Sequence, residues 1–311
     1  MKNQVGGHEG ITTSEDNSMI IKPTNSFEQD FYNQIPHYPN ILPFIPRYYG
    51  SLSATTEGEG EKLGFQGEGI LSPGNPAQSK DIMICIQNIS AYFNKPSILD
   101  LKMGTRLYDE NNVTEEKKLR MIAKARATTS HSTGIRVTGM KVYDHLKDEY
   151  VEYDRNYGLS LSVSALKEAF INYLPFSIPD LLRNKLIDLF LEELRDLEPI
   201  IKSIPMRMYG SSILFVYEGD LIRLEKLLNG KNVLADKIEL EEKEEAQEEE
   251  DEDEEEEEEE DYLKYSPAAL KLIDFAHTTF HDGKPDDEGY WLGLENTIKH
   301  FEDLKSTSES N

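Results

Sequence analysis

Short apolar runs along the chain predict a series of buried strands. The clearest is 81–89, Asp-Ile-Met-Ile-Cys-Ile-Gln-Asn-Ile, which has the length and composition of a buried strand. Similar runs predict strands at 19–21, 48–52, 135–142 and 211–217, and either a strand or a helix end at 268–275. The stretch 96–104 reads Pro-Ser-Ile-Leu-Asp-Leu-Lys-Met-Gly, and an extended chain places its aspartate and its lysine on the same side.

Apolar residues at helical spacing predict helices between these strands. They fall at 26–35, 114–127, 160–174, 178–197 and near 289–304. Ser26 and Thr114 are expected to cap the first two of these helices. The fourth helix is expected to bury one apolar stripe, which comprises Leu181, Leu182, Leu186, Phe190, Leu194 and Leu197. Residues 55–80 are rich in Gly, Glu, Ser and Pro without a periodic apolar pattern, which predicts a loop.

An acidic run dominates the charge of the chain. The formal net charge is −26, but residues 239–261 contain 19 acidic residues and one lysine, so this run alone supplies −18. Such a run repels itself and cannot bury a core, which predicts a disordered insertion. The remaining charge of −8 is ordinary for a soluble protein. An acidic protein of this kind is not expected to bind nucleic acid directly.

Cysteine usage and the apolar runs limit the class of protein further. The single cysteine, Cys85, excludes an intramolecular disulfide and argues against a cysteine-based zinc site. The first residues lack the apolar stretch of a secretory signal, and the chain contains no run of 18 or more apolar residues. The sequence therefore predicts an intracellular, soluble protein.

A cationic segment stands out against the acidic background. Residues 102–141 contain nine Lys or Arg against four Asp or Glu, a local charge of +5 in a chain that otherwise carries −31. On the predicted helix at 114–127, Lys117, Arg120 and Lys124 fall within one narrow stripe. Such a stripe is usually a solvated helix face. Its setting in an acidic protein favours an anionic ligand instead.

Several other residues have the chemistry that phosphoryl transfer requires. That reaction needs cations over the phosphates, a carboxylate to hold Mg²⁺ and a positioned hydroxyl. The glycine-rich stretch 4–10 and Lys22, at the end of a predicted strand, are candidate phosphate ligands, although a strand lysine is more often a surface residue. Asp274 lies between apolar neighbours, where an unpaired charge is costly, and is a candidate metal ligand.

Three motifs, taken in order, resemble those of the inositol polyphosphate kinases. Pro96 to Gly104 matches the pattern Pro-x-x-x-Asp-x-Lys-x-Gly. Ser211-Ser212-Ile213-Leu214 is similar to the family's Ser-Ser-Leu-Leu element, and Ile273-Asp274-Phe275 resembles its Ile-Asp-Phe element. The resemblance runs from about Gln4 to Leu304 and excludes the acidic run.

The resemblance implies an α+β, two-lobed fold like that of the protein kinases. Residues 1–90 would form an ATP-binding N-lobe of antiparallel sheet plus helix, and 91–311 a larger C-lobe. Within the C-lobe, 102–141 would form the helical segment that binds the inositol phosphate, and 239–261 the disordered acidic insertion.

The resemblance also implies a nucleotide and metal site. Lys22 would bind the phosphates of ATP, and the backbone around Gln87 and Ile89 would contact the adenine. Family members often have an acidic residue where Gln87 stands, a change that a backbone contact tolerates. Asp274, assisted by Ser212, would hold Mg²⁺.

The catalytic and substrate residues follow from the same resemblance. Asp100 would face the nucleotide and order the reacting groups, whereas Lys102 would bridge the γ-phosphate and the inositol phosphate. Five residues would bind the inositol phosphate together with Lys102: Lys117, Arg120, Lys124, Lys141 and His277. Lys141 lies in Gly139-Met140-Lys141-Val142, which is similar to a Gly-Met-Arg/Lys element of the family.

Three functions remain open at this point. The run from His277 to Asn296 and the acidic insertion resemble a fungal-type multikinase, which phosphorylates inositol tris- and tetrakisphosphates. Asp100 to Tyr108 and Thr128 to Ser130 also resemble hexakisphosphate kinases, which make pyrophosphates. The third function is an interaction protein whose acidic run binds basic partners such as transcription factors or histones. The resemblance implies residence in the nucleus and cytoplasm, and a monomer is expected because the sequence shows no identifiable exposed apolar stripe.

Overall fold

The computed structural model describes residues 10–54, 63–66, 82–110, 113–230, 263 and 266–308. The predicted acidic insertion and nearly all of the glycine-rich stretch 4–10 lie outside the described residues. None of the helices in the described ranges combines the length and the apolar composition needed to cross a lipid bilayer.

A first antiparallel sheet, sheet A, forms the N-terminal part of the fold. Its strands are β1 (Thr12–Thr13), β2 (Met19–Thr24), β3 (Tyr48–Ala54), β4 (Leu63–Gln66) and β5 (Ile82–Gln87). Their order is β1-β2-β5-β3-β4, so the apolar strand β5 is central. Helix α1 (Ser26–Gln34) follows β2, and Phe31 buries its ring between this helix and the rest of the core.

A second antiparallel sheet, sheet B, carries the three sequence motifs. Its strands are β6 (Pro96–Met103), β7 (Ile135–Asp144), β8 (Glu149–Tyr153), β10 (Ser212–Glu218) and β11 (Ala268–Ile273), in the order β11-β10-β6-β7-β8. A short pair of strands is separate from it and comprises β9 (Met206–Met208) and β12 (Thr278–Phe280). The Asp-x-Lys motif therefore lies on the central strand of sheet B.

Seven further helices follow the strands or lie between them in the described ranges. They are α2 (Glu115–Arg126), α3 (Ser130–Thr133), α4 (Arg155–Ser160), α5 (Leu166–Tyr173), α6 (Asp180–Ser203), α7 (221–230) and α8 (Glu288–Ser308). Phe190 of α6 and Phe301 of α8 pack edge-on or tilted against Phe215 of β10. Each of these fully buried rings contributes about 2 kcal/mol relative to an exposed ring.

Most of the predicted elements are confirmed, and the errors have local causes. The segment at 268–275 is a strand, and residues 63–66 form a strand inside the predicted loop. The predicted helix at 160–174 begins only at Leu166, because the Ser162 hydroxyl accepts a hydrogen bond from the Ala165 N–H and holds a turn there. The cap of α1 is Asn25 rather than Ser26, since the Asn25 side chain accepts the Glu28 N–H.

A linker at 88–95 joins the two sheets. Residues 89–92 form a single 3-10 turn between β5 and β6. The buried side chains of Ile89 and Phe93 pack beneath this turn against Val216 of β10 and Ala269 of β11. The predicted boundary at residue 90 falls within this linker.

Candidate active site

A row of polar side chains crosses one end of sheet B. Ser212 on β10 pairs with Lys102 on β6, and Lys102 pairs in turn with Arg136 on β7. Paired residues on neighbouring strands point to the same face of a sheet, and Asp100 shares that face with Lys102. The alternate residues Leu99 and Leu101 are fully buried in the main core. The sheet therefore presents one polar and one apolar face at this end.

Asp100 and Lys102 are a buried, coupled pair. Burial raises the pKa of Asp100 to about 6, with a further contribution from Asp274 and an opposing one from Lys102. Burial likewise lowers the pKa of Lys102, although both carboxylates oppose that change. The Lys102 ammonium donates a hydrogen bond to the carbonyl of Gly210, which holds the ammonium just before the first residue of β10.

Asp274 follows β11 and faces Lys22 from sheet A. The Lys22 ammonium lies 2.9 Å from Oδ1 of Asp274 and 2.9 Å from Oε1 of Glu28 on α1. Burial would lower the pKa of Lys22, but the two carboxylates outweigh it and raise that pKa. Asp274 has φ +65°, in the left-handed region that non-glycine residues seldom adopt. Such strain persists only where the surroundings impose it.

Helix α1 supplies those surroundings. Oε1 of Glu28 accepts a hydrogen bond from the Phe275 N–H at 3.2 Å, and the Asn25 amide donates to the Ala276 carbonyl at 3.0 Å. The rings of Phe31 and Phe275 stack with centroids 3.8 Å apart. The two residues that directly follow Asp274 are therefore attached to α1 and its cap.

The oxygen atoms at this point fit a Mg²⁺ ion. Within the described residues, Oδ1 of Asp100 and Oγ of Ser212 are buried without a hydrogen-bond partner of good geometry, although the Ser212 hydroxyl lies close enough to favour ionised Asp100. No group of three or more His, Cys, Asp or Glu side chains in the described ranges is arranged to hold a metal alone. Mg²⁺ takes hard oxygen ligands and usually binds through one or two carboxylates plus phosphate oxygens, which agrees with this set.

A cationic cluster lies beside Lys102 and consists of Lys124, Arg136 and Arg155. Burial, followed by Arg136 and Arg155, lowers the pKa of Lys124 to about 8, and Lys102 and Arg120 add to the effect. Arg136 is only 4% exposed, and its Nε and Nη1 have no hydrogen-bond partner in the part of the chain that the structure describes. The carboxylate of Asp100 favours the charged form of Arg136, but a buried guanidinium with unsatisfied N–H groups still favours the binding of an anion there.

The close packing of α4 on β7 brings Arg155 to this cluster. A Cβ added at Gly158 would lie 1.9 Å from the carbonyl oxygen of Val137, so only glycine permits this contact. Asp154 caps the helix by accepting the Tyr157 N–H. Burial is the main cause that lowers the pKa of Arg136, and Arg155, the first residue of α4, lowers it further.

His277 lies within electrostatic range of both Lys117 and Lys102. Burial lowers the pKa of His277, and Lys117 and Lys102 lower it further, so the imidazole is neutral at ordinary pH. Lys117 is in the first turn of α2, which Thr114 caps as predicted. The structure therefore brings His277, Lys117 and Lys124 into the neighbourhood of Lys102, with Arg120 exposed at the edge of the group.

Lys141 does not lie with these residues, contrary to the sequence prediction. It pairs with Ile98, four residues along β6 from Lys102, or about 13 Å at the rise of a strand. Its ammonium lies 3.0 Å from Glu152 and 4.5 Å from the centre of the Tyr150 ring. Lys141 is thus held at the far end of sheet B, where it neutralises a carboxylate of β8.

Gln87 and Ile89 lie where β5 passes into the linker. The Gln87 side chain accepts the Arg47 N–H and donates to the Tyr92 hydroxyl, so its polar atoms are already used within the fold. Ile89 is buried under the linker. Contact with an adenine at this point would therefore come from the backbone, as the sequence predicts for a position at which residue type is variable.

Three residues of the site were not identified from the sequence: Glu28, Arg136 and Arg155. Glu28 resembles an ordinary acidic residue in the first turn of a helix, and its burial accompanies its contacts with Lys22 and the Phe275 N–H. Arg136 lies within the cationic segment, but the pairing of β7 with β6 is what places it opposite Lys102. The high positive charge of the segment 102–141 was the one sequence feature that pointed to Arg136.

Comparisons with known proteins show what the chain is similar to. A model of the inositol polyphosphate kinase family matches residues 83–302. An inositol polyphosphate multikinase of Saccharomyces cerevisiae is 30% identical over 352 residues, with 97% of this chain and 97% of that protein covered. Human inositol hexakisphosphate kinase 1 is 30% identical over 239 residues, which cover 73% of this chain and 53% of that protein. The match thus spans about half the length of the hexakisphosphate kinase.

A solved structure supports the fold assignment. The crystal structure of an inositol phosphate multikinase from S. cerevisiae, in complex with ADP and Mn²⁺, is similar with a TM-score of 0.66 and 25% sequence identity. The similarity covers 92% of this chain and 99% of that one. The α+β fold that the sequence resemblance implied is confirmed.

Proposed function

Because this chain belongs to the inositol polyphosphate kinase family, we propose that it is an ATP- and Mg²⁺-dependent multikinase that phosphorylates hydroxyls of inositol tris- and tetrakisphosphates. The observation that carries the proposal is the cationic cluster of Lys124, Arg136 and Arg155 beside Lys102, in which Arg136 is buried and two of its nitrogen atoms have no hydrogen-bond partner among the described residues. A substrate that carries several phosphates would supply anions for these side chains.

The nucleotide would lie between the linker and Lys22. The linker backbone at 87–89 would contact the adenine, and Lys22 would bind the phosphates from sheet A. Asp274, Ser212 and Asp100 supply the oxygen atoms that would hold Mg²⁺, which would neutralise charge on the phosphates of the nucleotide. The presence of ADP and Mn²⁺ in the structurally similar yeast multikinase supports this assignment.

Lys102 occupies the position between the two binding sites. The carboxylates of Asp274 and Asp100 raise the pKa of Lys102, whereas the guanidinium of Arg136 lowers it. An ammonium at this point would contact the γ-phosphate and a substrate phosphate together, and would stabilise the charge that develops on the transferred group. Lys124, Arg136, Arg155, Lys117 and His277 would orient the inositol ring so that one hydroxyl faces the nucleotide.

The multikinase is favoured over a hexakisphosphate kinase by the extent of the match. The yeast multikinase aligns along 97% of both chains, whereas human hexakisphosphate kinase 1 aligns over 53% of its own length.

Residence in the nucleus and cytoplasm, and binding of basic proteins by the acidic run, are further parts of this proposal.

A panel of inositol phosphates tests the proposed function. Purified protein is incubated with ATP, Mg²⁺ and one of the tris-, tetrakis-, pentakis- or hexakisphosphates, and the products are separated by charge. We expect phosphorylation of tris- and tetrakisphosphates. A product with more phosphates than ring carbons would identify a hexakisphosphate kinase instead, and no phosphorylation of any trisphosphate would exclude the multikinase.

The site assignment has its own test. Lys102→Ala is expected to lower kcat by at least about 100-fold, because it removes a charge that acts on the transferred phosphate. Lys147→Ala is the matched control, since this lysine is 63% exposed and pairs with Asp144 on the β7–β8 turn. Full activity of Lys102→Ala would refute the assignment without affecting the family membership.

A further inference from the structure

The linker between the two sheets is held by an ion pair between buried Glu218 and partly buried Arg223, which the catalytic proposal does not use. We propose that Glu218 and Arg223 are positioning residues for the nucleotide, because they hold the linker backbone in a fixed position at the C-terminal end of β10. This inference rests on the proposed binding of the adenine at 87–89. It goes beyond that proposal by assigning nucleotide affinity to two residues that need not touch the nucleotide.

Glu218 is the last residue of β10, and its side chain is fully buried. Its carboxylate accepts the backbone N–H of Asn94 at 2.8 Å and that of Lys95 at 2.9 Å. It also accepts the Asp220 N–H at 3.0 Å. Two consecutive linker amides are therefore held by one carboxylate, in an arrangement that fixes the direction of the backbone as well as its position.

Arg223, on α7, completes the ion pair. Its Nη1 donates to Oε2 of Glu218 at 2.7 Å and to Oδ1 of Asn94 at 3.2 Å. Its Nη2 donates to the carbonyl of Tyr92 at 3.0 Å. The planar guanidinium thus reaches the carboxylate and two linker residues in one plane, which a lysine cannot do.

Gly219 holds the linker from the other side. Its N–H donates to the Lys95 carbonyl at 2.8 Å, so both backbone groups of Lys95 bind the end of β10. A Cβ at Gly219 would lie 2.7 Å from that carbonyl oxygen. The near end of the linker is fixed to sheet A, where the Asn88 N–H donates to the Ser18 carbonyl at 2.8 Å.

Strand β10 connects this anchor to the metal site. Ser212, a candidate Mg²⁺ ligand, begins the strand and Glu218 ends it, about 20 Å away at the rise of a strand. Both residues lie on the same face, because they are an even number of positions apart. One strand therefore sets the adenine end and the phosphate end of the nucleotide relative to each other.

Steady-state kinetics of Glu218→Gln test the inference. The amide places N–H donors against the donors that now bind the carboxylate, and it removes the charge that pairs with Arg223. We expect the KM for ATP to rise about ten-fold, with kcat and the KM for inositol trisphosphate unchanged within about two-fold. The preference for ATP over GTP is expected to fall as well. Arg223→Lys, which keeps the charge, is expected to raise the KM for ATP by about three-fold.

Two control variants separate positioning from general stability. Lys95→Ala removes a half-exposed side chain but keeps the N–H and carbonyl that bind Glu218 and Gly219, so the KM for ATP is expected to stay unchanged. Arg183→Lys disturbs a fully buried guanidinium that donates to the Leu174 carbonyl, far along the chain from the linker. It is expected to lower the melting temperature and leave the KM for ATP unchanged.

Binding of ADP with Mn²⁺, measured by calorimetry, keeps this test independent of catalysis. A rise in the Kd for ADP of Glu218→Gln supports the inference even if no inositol phosphate is phosphorylated, in which case only the proposed function fails. An unchanged Kd in a folded variant overturns the inference, as does a rise no larger than that of Arg183→Lys. If Glu218→Gln does not fold, the same measurement on Arg223→Lys decides. Failure of the unaltered protein to bind ADP would also overturn it.

Discussion

At the scale of single residues, the surroundings stabilise the charge of Lys22 but disfavour the charges of Lys102, Lys124 and Arg136. Lys22 is buried between two carboxylates, which stabilise its charge. Arg136 is more deeply buried, and two of its nitrogen atoms have no hydrogen-bond partner within the described residues. Asp100 offsets part of the cost of burying Arg136, and a bound anion would offset more of it.

Arg136→Met is expected to weaken substrate binding and stabilise the fold. Methionine has a similar length and needs no partner, so the free energy of unfolding should rise by about 2 kcal/mol. The KM for inositol trisphosphate should rise about ten-fold, because a charge-assisted contact is lost. Denaturant unfolding and steady-state kinetics measure the two effects. Arg126→Met, at an exposed position on α2, serves as the control and should change neither.

Lys124 is expected to make substrate binding depend on pH. Its pKa of about 8 means that the ammonium is mostly charged at about pH 7 and mostly neutral at about pH 9. A neutral amine attracts phosphate less, so the KM for inositol trisphosphate should rise about five-fold over this range. Arginine keeps its charge, and Lys124→Arg should therefore remove most of the dependence. An identical pH profile for the two proteins would contradict the assignment.

What the sequence could predict at this scale depended on how local the signal was. Asp100 and Lys102 share a face because they are two residues apart on a strand, which is a local property. Lys141 was wrongly grouped with the substrate residues. Its position along β7 places it opposite Ile98 and away from Lys102, and the spacing of charges along the sequence does not reveal this strand register. The burial of Glu28 was likewise invisible, since it arises from a contact with residues about 250 positions later.

At the scale of elements, the position of the cationic cluster depends on how the helices pack. Helix α2 contributes Lys124 to the cluster and also carries Lys117. Its cap at Thr114 was predictable because capping involves only neighbouring residues. The apolar stripe of α6 was also predicted, with the exception of Leu181, which is 69% exposed. This side chain lies at the margin of the stripe, where the facing sheet does not reach. Helix α4, in contrast, had no apolar pattern that could identify it.

Gly158→Ala is expected to move α4 away from β7. The added methyl would overlap the Val137 carbonyl, and relief of that overlap should cost about 3 kcal/mol of unfolding free energy. Because Arg155 moves with the helix, the KM for inositol trisphosphate should rise while the KM for ATP stays constant. Gly230→Ala is the control, since an added methyl meets no described atom there. Equal effects on both substrates would argue against a local displacement.

At the scale of the whole molecule, the acidic run interrupts the connection between two adjacent strands. Strands β10 and β11 pair along their length, and the acidic residues lie between them in the sequence. The cost of closing a loop rises only slowly with its length, so such a connection tolerates a long insertion. The composition of the run predicted the interruption, but the pairing of the flanking strands required the structure.

Replacement of 239–261 by a short Gly-Ser linker is expected to preserve catalysis. The strands on either side keep their partners, so kcat and both KM values should change by less than about two-fold. Binding to a basic protein such as a histone, measured at low salt, should be lost with the acidic residues. Loss of catalysis in a folded deletion variant would show that the run takes part in the kinase reaction.

The order of the strands in sheet B also determines when the enzyme becomes competent during synthesis. The central strand β6 carries Asp100 and Lys102, yet its partner β10 is made more than 100 residues later, and Asp274 follows the acidic run. Pairing across such separations is slow, and the polar face of β6 must wait for it. A chain cleaved or terminated within the acidic run would lack β11, Asp274 and the last helix. Truncated products of this kind would be inactive fragments rather than deregulated kinases.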